Sequence, residues 1–263
     1  MKKVAVITGA SSGIGLAIAN KLLEKDYIVY ALSRTKPAND KIKFFKCDVT
    51  DLENIKLAFE HIYNKTNQID AVINNAGMGI SGPIETEKLE NINKIISVNL
   101  MGVFNVSTVA IPYLRQSKGR IINISSIAAE FSLPFQAYYS ATKAGVLNFS
   151  SALGNELRPL GVKVTCLLPG DVKTDFTANR VKPESVNNEI YGKRFERALN
   201  VFEHDEENGM DPEKIANKIH KILKRKNPPA TCTTGVQWKL LRFVKRIVPQ
   251  RLVEWIIYRI YGK

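Results

Sequence analysis

The chain has 263 residues, 44% of them hydrophobic, and a formal net charge of +13 at pH 7. This length and composition are typical of a single α/β domain with a sizeable core. The charge does not indicate a nucleic-acid-binding protein. Residues 211–263 hold thirteen Lys or Arg and three Asp or Glu, a net of +10, which leaves only +3 for residues 1–210.

The N-terminus and the cysteines indicate a protein of the cytoplasm. Met-Lys-Lys is followed directly by the apolar run of residues 4–8, which predicts a first strand and not a signal peptide. Cys47, Cys166 and Cys232 are far apart and odd in number, so they indicate neither a disulfide framework nor a metal site. The three histidines are equally dispersed, and we expect no bound metal.

The first strand ends in a glycine-rich turn, Thr-Gly-Ala-Ser-Ser-Gly-Ile-Gly, and a helical pattern follows through residues 16–23. Such a turn presents free backbone N–H groups at the positive end of a helix dipole, where phosphates bind. Gly9 permits the tight turn, Gly13 and Gly15 allow close approach, and Ser11 and Ser12 add hydroxyl donors. The pattern predicts a dinucleotide site.

The next two strands suggest which dinucleotide is bound. The second strand, residues 27–32, is followed by Arg34 and Lys36, with no carboxylate at the strand end. An arginine at this position accommodates a 2′-phosphate, so we expect NADP(H) in preference to NAD(H). The third strand, residues 42–47, is followed by Asp48 and Val49, where the carboxylate can accept from the adenine amino group.

Strands and helices continue to alternate along the chain. A helix at 51–66 leads to a strand at 69–73 that ends in Asn-Asn-Ala-Gly at 74–77, and a long helix covers most of 88–116. The alternation predicts a doubly wound, Rossmann-type parallel sheet of about seven strands with helices on both faces. Such sheets bind ligands at the carboxyl ends of their strands.

Candidate catalytic groups lie in the second half of the chain. Tyr139 and Lys143 are four residues apart on a predicted helix, so they share one face, whereas Tyr138 has Thr142 at that offset. We expect the ammonium to lower the pKa of the Tyr139 phenol and make it an acid/base. Asn99 is a polar residue in an apolar helix, and a strand at 120–124 ends in Ser125-Ser126.

Together these motifs resemble the short-chain dehydrogenases/reductases across residues 3–175. The resemblance implies a Rossmann fold, hydride transfer between a nicotinamide and an alcohol or carbonyl carbon, and a homo-oligomer. It implies catalytic roles for Asn99 as the anchor of a water in a proton relay, Ser126 and Tyr139 as substrate-binding residues, and Lys143 as the group that holds the nicotinamide ribose. The implied cofactor-binding positions are Gly9, Ser11, Ser12, Gly13, Ile14, Gly15, Arg34, Asp48, Val49, Asn75, Ala76, Gly77, Tyr139, Lys143, Pro169, Gly170, Val172 and Thr174.

Beyond residue 175 the resemblance weakens. Residues 176–210 stand where the family has a helical substrate lid, and 211–235 predict a last helix and strand. Residues 236–263 form a basic, Trp-bearing amphipathic extension in two pieces that break at Pro249. Charges interrupt each apolar run, so neither piece spans a membrane. The extension suits an anionic membrane surface, the protein's own core or a second subunit.

The sequence therefore predicts an NADP(H)-dependent oxidoreductase acting on an apolar carbonyl or alcohol, in one domain of 263 residues. Three alternatives stay open at this point. They are an NAD-linked alcohol dehydrogenase of the same fold, a dinucleotide-sensing protein without catalysis, and a basic membrane or nucleic-acid adaptor. The complete set Ser126, Tyr139, Lys143 and Asn99 disfavours the sensor, because sensing needs no acid/base group.

Overall fold

A sheet of seven parallel strands runs through the computed structural model, which describes residues 2–183, 186 and 188–263. The strand order 3-2-1-4-5-6-7 confirms the predicted doubly wound sheet. Its strands are β1 Val4–Thr8, β2 Ile28–Ser33, β3 Lys43–Lys46, β4 Ala71–Asn74, β5 Arg120–Ile124, β6 Lys163–Leu168 and β7 Thr231–Thr233.

Helices connect the strands and cover both faces of the sheet. They are α1 Gly13–Glu24, α2 Leu52–Thr66, α3 Leu89–Ile96, α4 Gly102–Ser117, α5 Ala137–Leu157, α6 Lys193–Glu207, α7 Pro212–Lys224, α8 Val236–Ile247 and α9 Gln250–Ile257. Side-chain caps fix two of the starts, because Asp51 accepts from Asn54 N and Asp211 accepts from Glu213 N. Pro212 occupies the first position of α7, where no N–H is needed.

Alternate residues of β1 enter two separate apolar layers. Val4 and Val6 pack with residues of α2, α4 and α5, whereas Ala5 and Ile7 pack with residues of α1 and α7. The strand is buried on both faces, as expected of a parallel sheet between helices. The two layers bury both faces of the sheet, and its carboxyl edge is left to carry polar groups.

The long helix predicted for 88–116 is interrupted. A π-helical turn, Ser97–Met101, separates α3 from α4 and contains Asn99. Within the described residues, the stretch Leu89–Ser117 is long and apolar enough to cross a membrane by composition, but 39% of its most apolar window is buried inside the protein. Val106, Ala110 and Leu114 lie in the core beside α2, so this stretch is a core helix.

The order of the strands reverses at β1, which has β2 on one side and β4 on the other. Connections leave such a point in opposite directions, and a crevice opens outside the carboxyl ends of the strands. The glycine turn after β1 and the Asn-Asn-Ala-Gly segment after β4 therefore meet at the mouth of one crevice.

Candidate active site

The glycine turn after β1 has the geometry of a phosphate cradle. Gly9 and Gly13 have φ angles of +64° and +53°, a region that side chains disfavour. A Cβ on Gly9 would lie 2.8 Å from Ala76 Cα, and one on Gly15 would overlap the Gly9 carbonyl. Ser12 is the N-cap of α1 and makes no side-chain capping bond, which leaves the first N–H groups of the helix open.

Arg34 extends from the end of β2 and lines the same crevice. Its side chain is exposed, and no ion pair engages it within the described residues. Lys36 differs, since its ammonium lies 2.7 Å from Asp40. Asp48 lies at the end of β3, where its carboxylate accepts from the N–H and the hydroxyl of Thr50. Arg34 is thus a cation at the end of β2 that is free to meet a phosphate.

The ends of β1 and β4 are tied together by hydrogen bonds. The Thr8 hydroxyl accepts from the backbone N–H groups of Asn75 and Ala76, each at 3.0 Å. The Asn75 side chain donates to the carbonyls of Thr8 and Gly9. Both N–H donors of the Asn75 amide are therefore used within the protein. Asn75 contributes to the crevice by fixing the conformation of the segment after β4.

Asn99 holds the next part of that segment. Its amide accepts from Met78 N at 2.8 Å and donates to Met78 O at 2.9 Å and to the Thr142 hydroxyl at 3.3 Å. The π-helical turn turns this side chain toward β4, where it is 1% exposed. A Cβ on Gly77 would lie 3.3 Å from Asn99 Oδ1, a tight contact, so glycine leaves room for this close approach.

The two serines after β5 have different roles in the structure. The Ser126 hydroxyl accepts from Ala128 N at 3.1 Å and lines the cavity beside the Tyr139 phenol, whose pKa it acts to lower. Ser125 instead donates to the backbone carbonyl of Lys143 at 2.7 Å, which ties β5 to α5. The structure brings Ser126, and not Ser125, to the phenol.

Tyr139 and Lys143 lie on the same face of α5 and line one cavity, which Tyr138 does not reach. The Lys143 ammonium is 5.7 Å from the centroid of the Tyr139 ring and donates to Ile124 O at 3.1 Å. The segment after β6 closes the opposite side through Pro169, Gly170, Val172 and Thr174.

The expected lowering of the Tyr139 pKa by Lys143 is wrong for the protein by itself. Burial raises the pKa of the phenol to about 12 and outweighs the lowering by the Ser126 hydrogen bond. Burial also lowers the pKa of the Lys143 ammonium to about 8. Desolvation disfavours the charged form of each group, and that cost exceeds the attraction across this distance. Below pH 8 the site therefore holds a neutral phenol beside an ammonium.

The segment predicted as a lid covers the phenol. The Phe176 ring lies 5.9 Å from the Tyr139 ring, and both line the cavity. Arg180, with a side chain only 2% exposed, forms an ion pair with Glu206 of α6, and the Thr177 hydroxyl donates to the same carboxylate. These bonds hold residues 176–180 against α6 and keep Phe176 over the phenol.

The C-terminal extension forms another wall of the cavity. The Arg242 guanidinium of α8 binds both carboxylate oxygens of Glu130, and Val253 of α9 packs against Ile127 and Phe131. The side chains of the extension that line the cavity are mostly apolar. They are Trp238, Leu241, Val244, Lys245, Val248, Leu252, Val253, Ile256, Ile257, Ile260 and Tyr261. One face of the extension thus packs on the protein's own core, and the cavity continues beneath it.

The resulting cavity has a volume of about 810 Å³. It connects the glycine turn, Arg34 and the end of β3 with the catalytic candidates and the apolar extension. Two of the predicted site residues do not line it. Gly15 lies behind the turn, and Asn99 lies behind Gly77 and Met78, so both shape the wall without forming its surface.

Other residues of this wall were not predicted from the sequence. Thr8 organises the turn, Gln136 contributes a buried amide, and Asp171 contributes a carboxyl whose pKa burial raises to about 6. The indole of Trp238 lies where a Cβ of Gly170 would stand. Thr8 is the last residue of β1 and Asp171 follows β6, so both could have been found by the rule used for Asp48, which looks for polar residues at the carboxyl ends of strands. No sequence pattern links Trp238 to Gly170.

The model of the short chain dehydrogenase family matches residues 3–185, the part of the chain that contains every catalytic candidate. The chain is a short-chain dehydrogenase/reductase. It is 40% identical to the 3-ketodihydrosphingosine reductase of Bacteroides thetaiotaomicron over 99% of this chain and 98% of that protein. It is 30% identical to the NADPH-dependent 1-acyldihydroxyacetone phosphate reductase of Saccharomyces cerevisiae, covering 96% of this chain and 89% of that one.

Structural similarity supports the same assignment. A short-chain dehydrogenase from Streptomyces avermitilis superimposes with a TM-score of 0.84 and 26% identity, over 97% of this chain and 96% of that one. This short-chain dehydrogenase/reductase is therefore an oxidoreductase that acts on CH–OH or keto groups with NAD(P).

The residues present fit such a dinucleotide. The turn after β1 offers backbone donors to a pyrophosphate, and Gly77 leaves room beside Lys143 for a ring and its ribose. Cys47 and Val49, which follow β3, form an apolar edge for an adenine, with Asp48 between them.

Proposed function

We propose that this short-chain dehydrogenase/reductase uses NADPH to reduce the ketone of a long-chain, lipophilic substrate. One observation carries the proposal: a single cavity joins the glycine turn to Ser126, Tyr139 and Lys143 and then continues under the apolar walls of α8 and α9. A reductase of long-chain ketones needs a dinucleotide site, an acid and an apolar channel in that order.

Bound NADPH supplies the hydride. The Ser126 and Tyr139 hydroxyls hold the carbonyl oxygen between them, where negative charge develops as the carbon is reduced. Tyr139 then gives its proton to that oxygen, which a neutral phenol can do at pH 7. The Lys143 ammonium stabilises the phenolate that remains, because it lies on the same face of the helix.

Asn99 supports this chemistry from behind the wall. It fixes the backbone of Met78 through two hydrogen bonds, and this holds the adjacent Gly77 against the ribose position. The Phe176 ring packs against the Tyr139 ring at a centroid distance of 5.9 Å and limits the positions that the phenol can take. We propose that these contacts keep the reacting carbon and the phenol in one geometry.

Arg34 supports NADPH as the preferred reductant. It is exposed at the end of β2 and lines the cavity, and that strand end carries no carboxylate that would select a free 2′-hydroxyl. The yeast relative is an NADPH-dependent reductase. An NAD-linked alcohol dehydrogenase is the alternative function. The affinities of an Arg34→Ala variant for NADPH and NADH distinguish the two.

The apolar wall supports a long-chain substrate. Both named relatives reduce ketones of lipids, 3-ketodihydrosphingosine and 1-acyldihydroxyacetone phosphate. The first of these carries an amino group beside its carbonyl and the second a phosphate. Asp171 and Asp205 line the cavity and favour the cationic substrate over the anionic one, whereas the Glu206 carboxylate is already paired with Arg180. We therefore propose 3-ketodihydrosphingosine as the substrate type.

The test is NADPH oxidation by the purified protein with 3-ketodihydrosphingosine, a steroid ketone, retinal and a small aliphatic ketone. We expect turnover of the long-chain amino ketone in preference to the others. Tyr139→Phe should lower kcat by roughly 10²–10⁴-fold, the usual contribution of a positioned acid, while Tyr138→Phe serves as the matched control. Unchanged turnover by Tyr139→Phe would overturn the mechanism.

We also propose that this cytoplasmic enzyme rests on an anionic membrane through the outer face of α8 and α9. Apolar side chains on that face are largely exposed, with Val236 at 80%, Ile247 at 70%, Phe243 at 61% and Trp255 at 55%. Residues 236–263 contain seven Lys or Arg and one Glu, so their charge complements anionic lipid. A substrate dissolved in the bilayer would then have a short path to the cavity.

Vesicle co-sedimentation tests this second proposal. Binding is expected to vesicles that contain phosphatidylserine, to be weaker on pure phosphatidylcholine, and to be lost in the double variant Phe243→Ser, Ile247→Ser. Leu57→Ser, at a 59% exposed position of α2, is the control. A protein that dimerises through α8 and α9 and binds no vesicle would show that a second subunit covers this face.

A further inference from the structure

The amide of Gln136 lies in the cavity wall, and among the described residues it has no hydrogen-bond partner. The residue is 5% exposed and is the N-cap of α5, yet its side chain caps no N–H of the helix. No other residue in the described part of the chain bonds the amide, and neither of its polar atoms is sealed from the cavity. A buried amide without partners is costly, so such a group is usually paired.

The backbone holds Gln136 in this position. Phe135, immediately before it, has a φ of +60°, a conformation that an aromatic residue rarely adopts. The Phe135 ring contacts Phe195 at 5.5 Å, and the Phe135 carbonyl accepts from Gly82 N. Contacts on two sides therefore keep this turn fixed and aim the amide of the next residue.

The position of Gln136 relative to the phenol limits what it can bind. It precedes Tyr139 by three residues, which is about one helical turn, and both side chains line the same cavity. A substituent held by Gln136 is thus close to the carbonyl that Ser126 and Tyr139 hold. A neutral amide both donates and accepts, which matches an amino or hydroxyl group.

Resting on the proposed function, we propose that Gln136 binds the amino or hydroxyl substituent next to the reacting ketone. The residue thereby selects ketones with a polar head group over plain ketones of equal length. The apolar wall of the cavity can hold the hydrocarbon chain of either kind of ketone. The Gln136 amide therefore supplies the discrimination between ketones with and without the polar substituent. The structure thus divides the substrate site into a polar end at Gln136 and an apolar end under α8 and α9.

The experiment compares 3-ketodihydrosphingosine with octadecan-3-one in the same detergent micelles, for the parent and for Gln136→Met. Methionine keeps the length of the side chain and removes its hydrogen bonds. We expect Gln136→Met to lose roughly tenfold in kcat/KM for the amino ketone, the worth of about one such bond. The Gln136→Met variant should reduce octadecan-3-one at the parent's rate and bind NADPH with the parent's affinity. Unchanged NADPH binding also shows that the variant is folded.

The control is Gln116→Met, because Gln116 lies outside the cavity, where it accepts from the Tyr63 hydroxyl. An equal loss on both ketones, or no loss on the amino ketone, would overturn the role of Gln136 while the proposed function stands. A parent protein that reduces neither ketone would instead reject the proposed function itself.

Discussion

The Arg242 guanidinium and the Glu130 carboxylate form a two-pronged ion pair, with Nη2–Oε1 at 2.6 Å and Nε–Oε2 at 2.8 Å. Lys245 of the same helix donates to the Glu130 backbone carbonyl and lies 5.0 Å from the Phe131 ring. The pair joins α8 to the loop that follows Ser126. The apolar wall of the cavity is thereby attached to the segment that carries the catalytic serine.

Loss of this ion pair should weaken the wall without affecting the dinucleotide site. We expect Arg242→Ala to cost about 1–3 kcal/mol of stability, because both side chains are mostly buried and Glu130 loses its partner. KM for the long-chain ketone should rise while KM for NADPH stays constant. Thermal unfolding and initial rates measure these effects, with the exposed Arg246→Ala as control. A changed NADPH KM would show that the extension also shapes the cofactor site.

The pH dependence should follow Lys143. Burial lowers its pKa to about 8, so its ammonium is present below that pH and is lost as the pH rises through it. The Tyr139 phenol stays protonated well above this range, because burial raises its pKa to about 12. We expect kcat/KM for NADPH, which reports on the free enzyme, to fall above about pH 8.

The lowered pKa of Lys143 also makes the free energy of unfolding depend on pH. Between pH 8 and the ordinary lysine pKa of 10.5, the unfolded chain binds more protons at Lys143 than the folded chain does. The free energy of unfolding attributable to this group should therefore rise with pH across that window. Urea unfolding of the parent and of Lys143→Met measures it, and an identical pH dependence in both would contradict the assignment.

Cofactor preference should depend on Arg34. Arg34→Ala removes the cation at the end of β2, and we expect the affinity for NADPH to fall roughly 10–100-fold while the affinity for NADH changes little. Lys36→Ala is the control, since that ammonium is engaged by Asp40. Fluorescence titration with both nucleotides makes the measurement. Equal affinities before and after the change would favour the NAD-linked alternative.

Asn99 should behave as a positioning residue. Asn99→Ala removes the partners of Met78 N and Met78 O, which are partly buried, and this should cost about 1–3 kcal/mol of stability. The affinity for NADPH should also fall, because Gly77 loses its support. Asn93→Ala, on an exposed position of α3, is the control. A variant of parental stability that lost only turnover would give Asn99 a direct role in proton transfer.

The sequence by itself determined the sheet and the order of its motifs. The fold could be predicted because in a parallel α/β sheet each strand end faces the same edge. Arg34 after β2, Gly77 after β4 and Ser126 after β5 therefore had to converge, whatever the details of packing. The four-residue spacing of Tyr139 and Lys143 likewise fixed their common face, since it matches the period of a helix.

Only the tertiary structure decided the electrostatics of the phenol and the partners of the C-terminal segment. The pKa of Tyr139 depends on how deeply the packed chain buries it, and burial outweighs the cation that the spacing supplies. Glu130 and Arg242 meet across 112 positions of sequence, and Arg180 and Glu206 across 26. Local periodicity does not encode such contacts, because they depend on how separate elements pack in three dimensions.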